Sequence, residues 1–154
     1  MGLLILGFLL ASVTTGVHAA CTTLTLVLLE SRWIAPHAMR SKVSKALVVM
    51  LVVNALFLAS LLECALWAAA YLWVGALDGW SEAFYFSATT FTTTGYGDVT
   101  LSPTWRSMGN FEAVIGIIMF GWSTALLVTV VQHLRRSPVP GQTAADAART
   151  APHA

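Results

Sequence analysis

Charge is what this sequence has least of. Only 10% of its 154 residues are Asp, Glu, Lys or Arg, against 57% hydrophobic residues and a mean hydropathy of +0.76. A soluble domain carries about 25% charged residues, so this shortage excludes an ordinary water-exposed surface and points to a membrane protein. The net charge of +1 gives no support for a nucleic-acid partner. Cysteine is equally scarce. Cys21 and Cys64 each lie inside an apolar run with no Cys or His at ligand spacing, so they read as small buried hydrophobes rather than as a disulfide or a metal site. There is no His-Glu-x-x-His, no Gly-x-Ser-x-Gly elbow and no phosphate loop, and His18, His37, His133 and His153 are scattered. An enzyme is therefore the least favoured class, and no cofactor is implied. No apolar run carries Arg or Lys at every third residue, which excludes a voltage sensor of the usual kind.

What the chain does have is long apolar runs. Three of them, 3–29, 46–77 and 107–134, reach the roughly 20 residues that a bilayer crossing needs. The stretch 80–91 is apolar and aromatic but too short to cross, and reads as a re-entrant or interfacial helix. The layout expected is an N-terminal transmembrane helix (1–29), a basic loop (30–45), a unit of helix, short helix, loop and helix (46–134), and a disordered tail (135–154). Seven of the eight basic residues fall at Arg32, Arg40, Lys42 and Lys45 and at Arg135, Arg136 and Arg149. Three crossings put those two segments on one face, and the positive-inside rule makes it cytoplasmic. The N-terminus is then outside, and the short helix dips in from the outer face. The run 3–10 followed by Val17-His18-Ala19 also resembles a secretory leader. No positive charge precedes it, however, and hydrophobicity continues to Leu29, so a retained helix is the expectation.

Between the short helix and the third run lies Thr92-Thr93-Thr94-Gly95-Tyr96-Gly97-Asp98. Backbone that is neither helix nor closed sheet is tolerated at membrane depth only where protein buries it or it lines a water-filled cavity. Gly95 and Gly97 reach positive φ, and alternating such residues with ordinary ones turns successive carbonyls toward one axis. Four chains around that axis give stacked rings of oxygens that replace the hydration shell of K⁺.

On these residues the chain resembles the pore domain of potassium channels, in particular the bacterial two-transmembrane type, over roughly 46–134. The family usually shows Thr-Val-Gly-Tyr-Gly-Asp where this chain has Thr93 to Asp98, so Thr94 stands in place of valine. The resemblance implies an all-α membrane protein, a four-fold homotetramer around a central pore in the cell membrane. Its outer helix is 46–77, its pore helix 80–91, its selectivity filter 92–98 and its inner helix 107–134. K⁺ would be held at Thr93, Thr94, Gly95 and Tyr96, with Gly97 completing the filter. Tyr85 and Phe86 stand where an aromatic pair braces the filter tyrosine. Asp98 would bond to the pore helix, Thr89 replaces a glutamate found behind the filter in some members, and Gly116 and Gly121 fall near hinge and close-packing positions.

Other residues are read from chemistry alone. Ser81 or Asp78 is expected to cap the short helix, whose C-terminal dipole would favour a cation. Glu63 and Glu112 are the two acids inside long apolar runs, and such residues warrant a role by default. Glu112 lies about 9 Å along a helix from Arg106, within reach of the short helix or the loop. His133 is a candidate pH sensor at the inner end of the third run. The functions left open are K⁺ conduction, a weakly selective cation channel because of Thr94, and a non-conducting modulatory subunit.

Overall fold

The computed structural model describes residues 2–30 and 41–136, and these form four α-helices with no strand. Helix α1 is Gly2–Glu30, α2 is Lys42–Trp73, α3 is Trp80–Phe91 and α4 is Arg106–Arg136. Three of them, α1, α2 and α4, are long and apolar enough to cross a membrane. The reason is the solvent. In hydrocarbon every backbone N–H and C=O needs an internal partner, and a helix supplies all of them within one segment. At 1.5 Å per residue, the 29 to 32 residues of these helices give about 45 Å, more than the roughly 30 Å hydrocarbon core. Each also turns large apolar side chains outward, among them Phe8 at 68%, Leu58 at 63% and Val114 at 59% exposure. This is a multi-pass membrane protein.

The boundaries of α2 differ from the expected 46–77 at both ends. It starts at Lys42 because Ser41 caps it, its Oγ accepting from the Ser44 N–H. It stops at Trp73 because Gly75, at φ +67°, closes a Schellman motif. The Ala76 N–H reaches back to the Tyr71 carbonyl (2.8 Å) and the Gly75 N–H to that of Leu72 (3.1 Å). Leu77 therefore lies in the connection to α3. Neither Ser81 nor Asp78 caps α3. The N-cap is Gly79, which makes no side-chain bond, and the Ala83 N–H bonds its carbonyl directly (2.9 Å). Arg135 and Arg136 complete the last turn of α4. Residues 31–40 of the basic loop and 137–154 of the tail lie outside the described residues, and with them the expected tail disorder.

Helix α3 packs against both α2 and α4, and α1 packs along the same two long helices. One buried cluster, built on Cys64, Trp67, Tyr71, Phe91, Met108, Ile115 and Met119, holds α3 in place. A second, Val48, Val52, Leu56, Val130 and Leu134, ties the far ends of α2 and α4 together. Helix α3 thus sits near one end of the α2–α4 pair, and the Thr92–Asp98 loop leaves from its tip.

Candidate functional site

The loop is built from the end of α3 outward. Thr92 is the C-cap, the Thr93 N–H bonds the Thr90 carbonyl (2.9 Å), and the Gly95 N–H folds back to the Thr89 carbonyl (3.0 Å). Positive φ recurs at every second residue: Thr93 at 58°, Gly95 at 53° and Gly97 at 81°. Thr93 is the member that the sequence did not reveal, being the one non-glycine residue with positive φ among those described. That conformation costs of order 1–3 kcal/mol. The hydroxyl of Thr94, which needs a partner that valine would not, finds the Thr92 Oγ1 at 2.9 Å, and Thr92 in turn donates to the Ala88 carbonyl (2.7 Å). All residues from Thr92 to Asp98 are exposed in the single chain, Tyr96 at 72%.

The aromatic pair is divided between two tasks. The Tyr85 hydroxyl donates to Asp98 Oδ2 (2.7 Å), and the carboxylate also accepts the Val99 N–H (3.1 Å). The Tyr85 hydrogen bond holds the Asp98 carboxyl below the usual carboxylate range and raises the Tyr85 phenol. Phe86 instead stands edge-on to Tyr71, centroids 5.2 Å apart. Within one chain, then, Tyr85 is linked to Asp98 and Phe86 to α2. Thr89 turns its hydroxyl back to the Phe86 carbonyl of its own helix (3.0 Å).

Behind α3, Glu112 is wholly buried. Its Oε1 is hydrogen-bonded to Ser87 of α3 and its Oε2 accepts from Tyr71 of α2 (2.6 Å). Ser87 also contacts the Cys64 carbonyl (2.8 Å). One turn along α4, a Cβ at Gly116 would stand 2.1 Å from the Phe91 carbonyl oxygen, whereas one at Gly121 would meet nothing within 4 Å. What the structure shows at Gly116 is a backbone contact that only glycine permits, in a helix continuous from Arg106 to Arg136.

A second polar cluster joins α1 to the other helices. His18 Nδ1 lies 2.8 Å from Glu63 Oε1 of α2, and its Nε2 lies 3.3 Å from Ser123 Oγ of α4. Trp122 packs edge-on to the imidazole at 5.5 Å, and the Trp67 indole N–H donates to Thr14 Oγ1 (3.0 Å). The pairing of His18 with Glu63 was not read from the sequence. Its signal was there, as two costly polar residues in neighbouring apolar runs. Both cysteines are free thiols, Cys64 buried and Cys21 half-buried, and no group of three or more His, Cys, Asp or Glu suited to a metal occurs among the described residues.

No curated protein and no solved structure matches the chain. A family model described as "Ion channel" matches residues 47–133, more than half of the sequence. The match runs from the first turns of α2 through α3 and the loop to the end of α4. It leaves α1 as an addition to the family's unit. The chain therefore belongs to the two-transmembrane pore-loop ion channel family.

Proposed function

We propose that the protein conducts K⁺ selectively and passively through a homotetrameric pore, with Thr93 to Gly97 as the selectivity filter. The observation that carries this reading is the alternation of positive φ at Thr93, Gly95 and Gly97. It supports a strand whose successive carbonyls turn to one side, as rings of K⁺-coordinating oxygens require. One strand supplies a quarter of each ring, so four chains are needed. The exposure of the whole loop in one chain favours the same conclusion, as does the hollow behind it lined by Thr89, Thr93, Gly95, Arg106 and Asn110. The tip of α3 directs its C-terminal dipole toward the pore and favours a cation there. Thr94 substitutes at a position where the backbone carbonyl is the working group, so selectivity is retained. The distribution of Lys and Arg supports an N-terminus outside and an end of α4 in the cytoplasm.

The test is a recording from purified protein in planar bilayers with asymmetric K⁺ and Na⁺. A reversal potential close to that of K⁺ is expected. Reversal near zero with opposing gradients would replace K⁺ selectivity with weak cation selectivity, and absence of flux from the protein alone would leave a modulatory subunit.

A further inference from the structure

Two oxygen-to-oxygen contacts converge on the Glu112 carboxyl and a third extends from Ser87, and one hydrogen for each calls for three protons. Tyr71 Oη lies 2.6 Å from Oε2, Ser87 Oγ is hydrogen-bonded to Oε1, and the same Ser87 Oγ lies 2.8 Å from the Cys64 carbonyl oxygen. A carbonyl oxygen only accepts, and a serine or tyrosine hydroxyl carries one proton each. Tyr71 and Ser87 together supply two. With Glu112 ionised, the two Ser87 contacts would have to share a single hydrogen, which leaves each weaker than a bond with a proton of its own. The count closes when Oε1 carries a proton. Glu112 then donates to Ser87, Ser87 donates to the Cys64 carbonyl, and Tyr71 donates to Oε2.

Burial argues the same way. Glu112, Ser87 and Tyr71 each have 0% exposure. The partners of the Glu112 carboxyl are the hydroxyls of Tyr71 and Ser87 rather than a cation, and Glu112 is the one formally charged residue between Arg106 and Arg135. A carboxylate buried without a cation costs several kcal/mol, and the group protonates instead.

We infer that Glu112 is a neutral carboxylic acid and a positioning residue, whose proton ties α4 to Ser87 of α3 and so fixes how the pore helix presents the Thr92–Asp98 loop. The spacing suits that task. Ser87 and Phe91 lie four residues apart on α3, and Glu112 and Gly116 four apart on α4, so each pair shares one helix face. Glu112 meets Ser87 through a hydrogen bond, and Gly116 meets Phe91 through a backbone contact. The first contact sets the rotation of α3, and the second its distance from α4. The effect on selectivity rests on the proposed filter; the proton itself does not.

The test has a spectroscopic arm and a functional arm, both on the full chain in liposomes. In the infrared difference of wild type minus Glu112→Gln at neutral pH, the carbonyl stretch of a protonated acid is expected, with any Glu63 signal cancelling. Ser87→Ala should shift that band upward in frequency, since the acid loses its acceptor. The amide of Glu112→Gln donates to Ser87 and accepts from Tyr71 as the acid does, so it should retain K⁺ flux and K⁺/Na⁺ discrimination near wild type. Glu112→Ala should lose about tenfold, the scale set by an unmade buried hydrogen bond. Carboxylate bands in place of the acid band would overturn the protonation. Failure of Glu112→Gln as severe as that of Glu112→Ala would overturn the positioning role. A wild type without flux would defeat the channel reading alone, because the infrared arm still decides the proton.

Discussion

Helix α4 meets its neighbours through two faces that are built differently, the first buried and the second only partly so. Toward α3 and α2 it offers Glu112 and Gly116, and every contact there is complete. Both carboxyl oxygens have partners, and the glycine lies directly against a backbone carbonyl. Toward α1 it offers Phe111, Trp122 and Ser123, and the contacts are looser. Glu63 Oε2 is buried without a hydrogen-bond partner, and Gly7 of α1 meets the Phe111 ring rather than backbone. The proton count separates the faces too. Around Glu112 three contacts each have a hydrogen of their own only with a proton on the carboxyl. Between His18, Glu63 and Ser123 two contacts are satisfied either by an imidazolium beside a carboxylate or by a neutral pair. Rigidity is therefore unequal across the bundle. The face that locates the proposed filter has one arrangement of protons and backbone, and the face that holds the added helix α1 has more than one.

Alanine at three glycines, 116, 7 and 121, should separate the two faces most sharply. Gly116→Ala places a Cβ 2.1 Å from the Phe91 carbonyl oxygen, and a backbone atom cannot turn aside. We expect a loss of about 3 kcal/mol or more in thermal or denaturant stability in detergent, the upper range for overpacking. Gly7→Ala meets Phe111 Cδ2 at 2.7 Å and Cγ at 2.9 Å, so the whole side chain must swing aside, which a partly exposed phenylalanine can do and a helix carbonyl cannot, and the cost should be the smaller, about 1–2 kcal/mol. Gly121→Ala has open space and should fall within about 0.5 kcal/mol. Equal losses at 116 and 7 would mean that the two faces are equally rigid.

The next largest effect belongs to the α1 face. A double-mutant cycle on His18→Ala and Glu63→Ala should give a coupling of about 1–3 kcal/mol, because each single change leaves the other partner buried alone. His18→Leu with Glu63→Leu, which removes both, should match wild-type stability or exceed it. A pair indispensable to the fold would instead make this variant the worst of the set.

A smaller effect is expected in the loop. Thr94→Val removes the hydroxyl bonded to Thr92 and should cost about 1 kcal/mol, with K⁺/Na⁺ permeability unchanged because the carbonyl at 94 remains. A changed reversal potential would show that the side chain, rather than the backbone, sets selectivity there.

These contrasts also mark what a linear sequence can disclose. The fold class and the three crossings follow from apolar run length, which is a local property. The loop was identifiable because its residues are contiguous. The positive φ of Thr93 was not, since nothing in a threonine announces it and only the every-second-residue geometry of 93, 95 and 97 requires it. Gly116 carried no mark separating a bend from a contact, because the atom that decides it, the Phe91 carbonyl, lies 25 positions away in the chain. His18 and Glu63 are 45 apart. Each was conspicuous alone, but their meeting depends on how α1 docks, and apolar periodicity does not encode that. The cap of α3 failed for the opposite reason. Residues with good local capping chemistry, Asp78 and Ser81, were overruled by a glycine whose backbone starts the helix unaided.

The smallest effect lies at the outer edge of the loop, where Tyr85→Phe removes the hydroxyl that donates to Asp98. That bond holds the Asp98 carboxyl below the usual carboxylate range. Its contribution is complete above the pKa of the unfolded chain and is lost as pH falls through the lower, folded value. Wild type and Tyr85→Phe should therefore differ by a constant amount at neutral pH and converge only in acid, below the ordinary carboxylate range. In the variant the Asp98 pKa should return toward its ordinary value, which a titration of labelled aspartate by NMR would read directly. An Asp98 pKa unchanged by the substitution would mean that the Val99 N–H alone sets it. The loop would then be joined to α3 by backbone and by the Thr92–Thr94 hydroxyls, without a tie at its outer end.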